Sequence, residues 1–428
     1  MNQSPARTLL LAVLVGAASG LAGGVFRRLI ETSTEWRAAS GDVFHAIDAP
    51  QWAGPALLSS LMLLGAVSLV RRFAPEAAGS GVQEIEGALE GLRPVRWMRV
   101  LPVKFIGGVL SLGSGLVAGR EGPTIQMGGA LGRMLSDGLG ASEEDAHIMT
   151  ASGAGAGLAA AFNAPLAGVL FVLEEMRPQF HYGVVSVIAV LVSCAASDAV
   201  VRMILGDGYA IVMPSLPAPD PPLLWLFLLF GVVVGGIGVV FNATILRTLD
   251  LFESMGASLN ILAVATLGLV VGVMTVQAPD LVGGGYRVVG DVLSGVHPAG
   301  VLAGLFVFRF FATSLSYATG APGGIFAPMV ALGTLLGMLF GRIFVIDFLG
   351  LEIEPTLFAV AGMGALFAAT VRAPITGIVL TVEMTGSYGQ TLPLMVVCSA
   401  AVVTAHLLGG SPIYSLLLER RLRIDATD

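Results

Sequence analysis

The chain has 428 residues, of which 55% are hydrophobic and only 12% are charged, and its mean hydropathy is +0.86. Soluble domains carry about 25% charged residues, so this chain has too few polar residues to cover a water-exposed surface, and much of its surface must face lipid. The formal net charge of −7 argues against nucleic acid as a partner.

The first apolar run, 8–26, follows Arg7 and is followed directly by Arg27 and Arg28. A signal peptide is the alternative interpretation, but the run is long for the apolar part of a signal peptide, so we predict a first membrane helix. Because positive charge favours the cytoplasmic side, this helix and the arginines within 420–423 predict that both termini are cytoplasmic. We expect a multi-pass protein of the inner (plasma) membrane.

Further apolar segments recur along the chain, separated by short polar breaks, and none alternates with period two over a useful length. This pattern predicts an all-α integral membrane protein. Some segments are short or broken by Gly and Pro, and such helices are tolerated only where they line a cavity or are buried in protein. The clear segments are 8–26, 55–70, 100–118, 146–173, 183–204, 222–244, 258–277, 298–317, 325–346, 356–384 and 391–408, and the broken ones are 79–92, 119–132 and 321–338.

The chain also matches itself in three blocks that keep the same order. Because each block alone is weak in a chain with 57 glycines, their nearly constant offset is the informative feature. The matches are Gly79-Ser80-Gly81 with Gly283-Gly284-Gly285 at an offset of 204, Gly119, Pro123, Gly128 and Gly132 with Gly324, Pro328, Gly333 and Gly337 at 205, and 153–174 with 362–383 at 209.

These matches predict two structural repeats. We place the first membrane repeat at 1–205, a linker at 206–221 and the second membrane repeat, with a short cytoplasmic C-terminus, at 222–428. In transporters built from two such halves the substrate site lies at the repeat interface, and paired interrupted helices point to it.

The segment Gly119-Arg120-Glu121-Gly122-Pro123 combines helix-breaking residues with a carboxylate. Gly and Pro end one helix and open another, whose free N–H groups and positive dipole end form an anion site. The Glu121 carboxylate would itself occupy that site when ionised and leave it when protonated. The alternative is a glutamate that only complements the helix dipole; within a membrane, an ionisable residue is a functional hypothesis by default.

Other polar residues have two interpretations each. Ser80 is either a plain N-cap or an anion ligand, and both roles are compatible. Tyr414 alone is more often an interfacial aromatic residue than a ligand. Glu174 has the repeat partner Glu383, which favours a structural role, whereas Glu175 is matched by Met384. Glu175 is therefore either a functional break in the symmetry or a helix-end glutamate in water.

The strings GSG…EIEGALE, LPVKF, GREGPTIQMGG, AAAFNAPLAGVLFVLEEMRPQF and GAPGGIFAP, with the late Tyr414, resemble the CLC family of chloride channels and chloride/proton exchangers, and are most similar to its bacterial antiporter branch. The match covers nearly the whole chain. The resemblance implies an inverted-repeat helical fold and a homodimer in the lipid bilayer with one pore per subunit.

The resemblance also implies roles for residues at the motif positions. Glu121 is implied as the external gate and proton carrier, and Glu175 as the internal proton-transfer residue. The transported ions are then chloride and protons. The implied chloride ligands are the hydroxyls of Ser80 and Tyr414, the amides of Ile325 and Phe326, and the amides of Arg120 to Gly122.

One departure from the family pattern lies in the first signature. Family members usually have Gly-Ser-Gly-Ile-Pro there, whereas this chain has Gln83 at the proline position. Gln83 restores an N–H that proline lacks and loosens the start of the helix, which affects the position of Ser80. Nothing recognisable follows residue 422, so we expect no cytoplasmic CBS domains.

The alternatives within the family are a passive chloride channel and a fluoride/proton exchanger. Glu175 argues against the channel, since channel relatives usually lack that acid, and Ser80, Tyr414 and the intact GREGP string favour chloride over fluoride. None of the five histidines lies in a serine-hydrolase or zinc motif, and Cys194 and Cys398 have no metal spacing. We therefore predict no enzyme activity, no cofactor and no metal site.

Overall fold

The computed structural model describes residues 5–176, 182–211, 213, 216–295 and 297–426. Within these ranges the chain forms seventeen α-helices, four 3-10 helices, one π-helical segment and no strand. The α-helices are α1 (Pro5–His45), α2 (Ala53–Phe73), α3 (Val82–Leu89), α4 (Trp97–Gly113), α5 (Glu121–Gly138), α6 (Glu143–Phe162), α7 (Pro165–Glu174), α8 (Val184–Leu205), α9 (Leu224–Ser254), α10 (Ala257–Gln277), α11 (Tyr286–Leu293), α12 (Ala299–Ala318), α13 (Phe326–Leu339), α14 (Thr356–Val371), α15 (Pro374–Thr385), α16 (Thr391–Leu407) and α17 (Ile413–Asp425).

Eight helical segments of the described chain are long and apolar enough to cross a membrane. Their outward surfaces are apolar as well: α10, for example, exposes Leu259, Leu262 and Leu269. Helix α1 has 41 residues, which corresponds to roughly 60 Å at 1.5 Å per residue, about twice the hydrocarbon thickness of a bilayer. One end of α1 therefore extends beyond the hydrocarbon core unless the helix is strongly tilted.

The order of elements repeats at the offsets found in the sequence. Helices α2 and α10 are related by 204 residues at both ends, as are the short helices α3 and α11. The first residues of α5 and α13 are 205 apart, and those of α7 and α15 are 209 apart. Both halves thus use the same series of long, short and broken helices, as the self-matches predicted.

Two apolar runs that look continuous in sequence are each divided into two helices. The run 146–173 contains most of α6 and most of α7, and it breaks at Asn163, whose φ is 58°. The matching run 356–384 breaks at Arg372, whose φ is 76°. In both cases the next helix begins at a proline two residues later, where its fixed φ suits a first turn.

Glycines allow neighbouring helices of each half to approach at backbone distance. A Cβ at Gly128 of α5 would collide with the carbonyl oxygen of Gly153 in α6, and a Cβ at Gly333 of α13 would collide with that of Gly362 in α14. Small residues at such interfaces are typical of membrane helix packing. These glycines belong to the self-matched blocks, so the repeat extends to its packing contacts.

The chain divides into two compact units. Unit 1 consists of Met1–Gly208, Leu249–Gly284 and Ser316–Ile325, and unit 2 of Tyr209–Thr248, Gly285–Leu315 and Phe326–Asp428. Each unit thus contains segments from several parts of the sequence. The domain boundaries at 205 and 222 stay a prediction.

Each unit has its own apolar core. In unit 1, Phe26, Leu63, Leu112 and Met127 belong to one buried cluster. In unit 2, the rings of Phe227 and Phe358 stack with centroids 4.6 Å apart. These cores fix the helices whose first and last turns carry the predicted functional residues.

Candidate functional site

Unit 1 brings three glycine-rich segments together through backbone hydrogen bonds. Gly119 and Gly324 each donate an N–H to the carbonyl of the other, both at 2.7 Å. The Gly323 N–H donates to the Gly79 carbonyl at 3.0 Å. The starts of α3 and α5 are therefore held beside the segment that directly precedes α13.

Ser80 lies two residues before α3 and is fully buried. Its N–H donates to the hydroxyl oxygen of Tyr317 at 3.4 Å, while its Oγ has no hydrogen-bond partner within the described chain. Gly122, in the first turn of α5, is so close that a Cβ there would collide with Ser80 Oγ. The Ser80 hydroxyl thus lies against the start of α5 with its own hydrogen unused.

Lys104 fixes the segment that precedes Ser80. It is the only lysine in the chain, and it is fully buried on α4. Its Nζ donates to the carbonyls of Gly79 and Ala77 at 2.7 and 3.0 Å. Through these two hydrogen bonds, Lys104 holds the Ser80 backbone from its N-terminal side.

Glu121 is the first residue of α5 and is fully buried. The N–H groups of a first helical turn have no intrahelical acceptor, and the positive end of the helix dipole lies there. Arg120 donates from Nε and Nη2 to the Ala161 carbonyl at 3.2 and 3.0 Å, which anchors the residue before Glu121. Either a carboxylate or a free anion is stabilised at such a helix start.

Glu175 lies at the C-cap of α7 and is partly buried. Its carboxyl group shares a hydrogen bond with the carboxyl group of Glu86, a buried residue of α3. Ionised carboxylates are only acceptors, so a proton on one of the two groups stabilises this contact. The pair is therefore a candidate proton-holding group within unit 1.

Unit 2 contains the other two predicted ligands. Phe326 begins α13, Tyr414 lies in the first turn of α17, and both are fully buried. Their ring centroids are 6.1 Å apart with an interplanar angle of 26°, and Phe326 also packs against Phe367 at 4.7 Å. Tyr414 is thus placed against the N-terminus of a helix.

The predicted residues are therefore gathered in groups. Ser80 and Gly122 are in contact, Arg120 and Glu121 directly precede Gly122, and Ile325 directly follows the Gly119–Gly324 pair and is fully buried. Phe326 and Tyr414 pack together in unit 2.

Sequence reasoning missed three residues: Glu86, Lys104 and Tyr317. A single lysine in an apolar helix was a usable signal for Lys104, and Glu86 lies within the quoted string EIEGALE. Tyr317 offered no local signal, because its importance comes from a contact with a residue far away in sequence.

The sequence profile of the family described as "Voltage gated chloride channel" matches residues 61–406. The H(+)/Cl(-) exchange transporter ClcA of Vibrio cholerae serotype O1 is 50% identical over 430 residues, which cover 99% of this chain and 91% of that protein. The chain belongs to the CLC family. This confirms the resemblance seen in the motifs, and it confirms a transport protein rather than an enzyme.

Solved structures of CLC proteins have the same fold. A structure titled as a slow cyanobacterial Cl-/H+ antiporter is 40% identical and superposes with a TM-score of 0.94, covering 99% of both chains. A CLC-type fluoride/proton antiporter is 17% identical, with a TM-score of 0.77 and coverage of 93% and 95%; at that identity the likeness shows the fold alone. The predicted CLC-type helical membrane fold is confirmed.

Proposed function

We propose that this CLC protein is a secondary active transporter that exchanges chloride for protons across a membrane. The observation that carries the proposal is the close approach of Ser80 Oγ to the first turn of α5, where the buried Glu121 begins the helix. The names of the relatives, an H(+)/Cl(-) exchange transporter and a Cl-/H+ antiporter, support it.

Chloride is bound by neutral donors in this proposal. The hydroxyls of Ser80 and Tyr414 and the helix-start amides of Ile325 and Phe326 form the central site, and the amides of Arg120 to Gly122 form the external site. Hydroxyl and backbone donors stabilise an anion without the strong attraction of a full positive charge, so the ion is able to leave. The amino group of Lys104 is compatible with this proposal, because it donates to the carbonyls of Ala77 and Gly79.

Glu121 couples the two ions because its carboxylate and chloride compete for the same amides. When ionised, the side chain occupies the anion position and closes the external gate. When protonated, it loses that attraction and moves out, and chloride enters. Each cycle of the gate therefore carries a proton in exchange for chloride.

Glu175 separates the antiporter from a passive channel. A channel needs no acid on the cytoplasmic side to supply Glu121 with protons, whereas an exchanger does. The Glu175 and Glu86 carboxyl groups interact, and this pair supports the proposal because two adjacent carboxyl groups are able to hold a proton. We assign internal proton transfer to Glu175.

The fluoride/proton exchanger remains the second candidate within the family. The hydroxyl of Ser80, which has no hydrogen-bond partner among the described residues, and the phenol of Tyr414 favour chloride. The chloride/proton relative also has far higher sequence identity than the fluoride structure. We further propose a homodimer with one pore per subunit, located in a bacterial inner membrane with both termini in the cytoplasm.

The test is proton movement in proteoliposomes under a chloride gradient. Wild-type protein is expected to pump protons uphill. Glu175→Gln is expected to lose proton movement while chloride still flows, and the neighbouring Glu174→Gln, which has a repeat partner, serves as the matched control and is expected to pump.

Chloride flux without proton movement in the wild type would make the protein a channel and reduce Glu175 to a helix-end residue. Fluoride-driven proton pumping that exceeds chloride-driven pumping would select the fluoride exchanger. A Glu121→Gln variant is expected to conduct chloride independently of pH, because its side chain can neither ionise nor carry a proton.

A further inference from the structure

Gln83 lies where the family resemblance implied a proline, and its side chain contacts another residue of unit 1. It is the second residue of α3 and exposes only 9% of its surface. Its side-chain amide forms a hydrogen bond with the hydroxyl of Tyr317. Because Gln83 Oε1 has no partner within the described chain, the amide nitrogen is the donor and the phenol oxygen the acceptor.

Tyr317 connects Gln83 to Ser80. It lies near the end of α12, exposes 5% of its surface, and accepts a hydrogen bond from the Ser80 N–H at 3.4 Å. A phenol oxygen has two lone pairs, so these two donors saturate it as an acceptor. The position of the ring is fixed as well, because it packs against Gly79, where a Cβ would lie 3.0 Å from Tyr317 Oη.

Ser80 is consequently held on both sides of its backbone. Lys104 binds the carbonyls of Gly79 and Ala77 before it, and Tyr317 binds its own N–H. Its hydroxyl makes no bond within the described chain. The restraints thus fix where Oγ lies and leave the hydroxyl hydrogen for an anion.

We propose that Gln83 and Tyr317 are positioning residues that set Ser80 for anion binding. A proline at position 83 limits the first turn of α3 through its fixed φ. Glutamine lacks that restraint, and the amide–phenol bond supplies another by tying the first turn of α3 to α12 and to the Ser80 backbone. This inference rests on the proposed anion site at Ser80 and adds residues that determine its affinity.

The experiment measures chloride binding to the full-length, chloride-depleted protein by isothermal titration calorimetry. Gln83→Met removes the amide–phenol hydrogen bond and is expected to weaken chloride binding about threefold to tenfold, the range that corresponds to losing one buried hydrogen bond. Tyr317→Phe removes that bond and also the acceptor of the Ser80 N–H, so it is expected to weaken binding at least as much. The double variant is expected to bind within about twofold of the weaker single variant, because coupled residues are not additive.

A proline at position 83 tests whether a different restraint on α3 restores chloride affinity. Introducing Gln83→Pro into the Tyr317→Phe background is expected to return chloride affinity to within about twofold of wild type. Tyr209→Phe is the matched control, since it removes a phenol from a residue that is 60% exposed, and its affinity is expected to equal that of wild type.

The Ser80→Ala variant separates this inference from the proposed function. If Ser80→Ala weakens chloride binding but the Gln83 and Tyr317 variants change only the unfolding midpoint, the positioning role is overturned and the anion site stands. If the losses of chloride affinity in Gln83→Met and Tyr317→Phe add up in the double variant, the two residues act independently and the proposed pairing is overturned. If Ser80→Ala binds chloride as wild type does, the proposed site at Ser80 is wrong, and the positioning role is overturned with it.

Discussion

Glu86 and Glu175 share a hydrogen bond between their carboxyl groups, although one lies in the short helix α3 and the other caps α7. Glu174 adds a further negative charge beside Glu175. Since two ionised carboxylates repel and neither is able to donate to the other, a proton shared between them would stabilise this contact. The helix that follows Ser80 therefore also carries a partner for the proposed proton-transfer residue.

Replacing Glu86 is expected to move the pH dependence of proton transport in opposite directions for two variants. In Glu86→Gln the amide donates to the ionised form of Glu175, which favours that form, so half-maximal proton flux moves to lower pH. In Glu86→Leu the buried carboxyl loses its partner, which favours the neutral form, so half-maximal flux moves to higher pH. Proton flux in proteoliposomes between pH 4 and 9, measured in steps of about half a unit, checks both shifts, each expected to reach about one unit.

Glu35→Gln is the control for this pair, because Glu35 is an exposed carboxylate on α1. Its pH profile is expected to follow that of the wild type. Shifts of the same sign in Glu86→Gln and Glu86→Leu would contradict the shared proton and leave Glu86 as a packing residue.

The sequence was sufficient for the features that depend on local pattern. The self-matched glycines and prolines predicted the repeated order of helices, and the helix-breaking residues around Glu121 predicted a helix start there, which is where α5 begins. Such features are readable because glycine and proline restrict the backbone at their own positions.

Features that depend on contacts between distant segments were not readable. Glu86 becomes important only through Glu175, and Tyr317 only through Ser80 and Gln83. The break at Asn163 was also hidden in the run 146–173, because its neighbours are apolar and only the backbone angle shows it. The spacing of hydrophobic residues along the chain does not reveal which buried polar side chains contact each other in the folded protein.

Gly122→Ala is expected to reduce chloride flux more than tenfold, because its Cβ would collide with Ser80 Oγ and lies within 3.0 Å of the Ser80 backbone. The serine must move for the side chain to fit, and small displacements of a binding group cost large factors in rate. Chloride efflux from proteoliposomes measures the effect.

Gly138→Ala on the same helix is the matched control, since a Cβ there meets nothing within 4 Å. It is expected to transport chloride at the wild-type rate. Equal fluxes for Gly122→Ala and the wild type would mean that Ser80 does not need its observed position.

Lys104→Met is expected to weaken chloride binding and to lower thermal stability, because it removes both hydrogen bonds to the carbonyls of Gly79 and Ala77. An ordinary intramolecular hydrogen bond contributes about 0.5–1.5 kcal/mol. Thermal unfolding in detergent and chloride calorimetry measure the two effects. Arg28→Met is the control, because it removes a charge from a side chain that is 61% exposed. It is expected to leave thermal stability and chloride affinity unchanged. If Lys104→Met lowers thermal stability but leaves chloride affinity unchanged, Lys104 has only a structural role.

Gly128→Ala and Gly333→Ala are expected to destabilise the protein by similar amounts, about 1–3 kcal/mol each, measured as the shift of the unfolding midpoint in detergent. Each added Cβ would collide with a backbone carbonyl of the adjacent helix, at Gly153 and Gly362 respectively. The clash must exceed the gain of up to about 1 kcal/mol that alanine brings to a helix interior.

Gly138→Ala and Gly290→Ala are the controls, one in each half of the sequence, because a Cβ at either position meets nothing within 4 Å. Their midpoints are expected to stay the same or rise. If only one of Gly128→Ala and Gly333→Ala lowers the unfolding midpoint, the two halves share a sequence pattern but not its packing. If both lower the midpoint equally, the same close backbone approach holds α5 to α6 and α13 to α14.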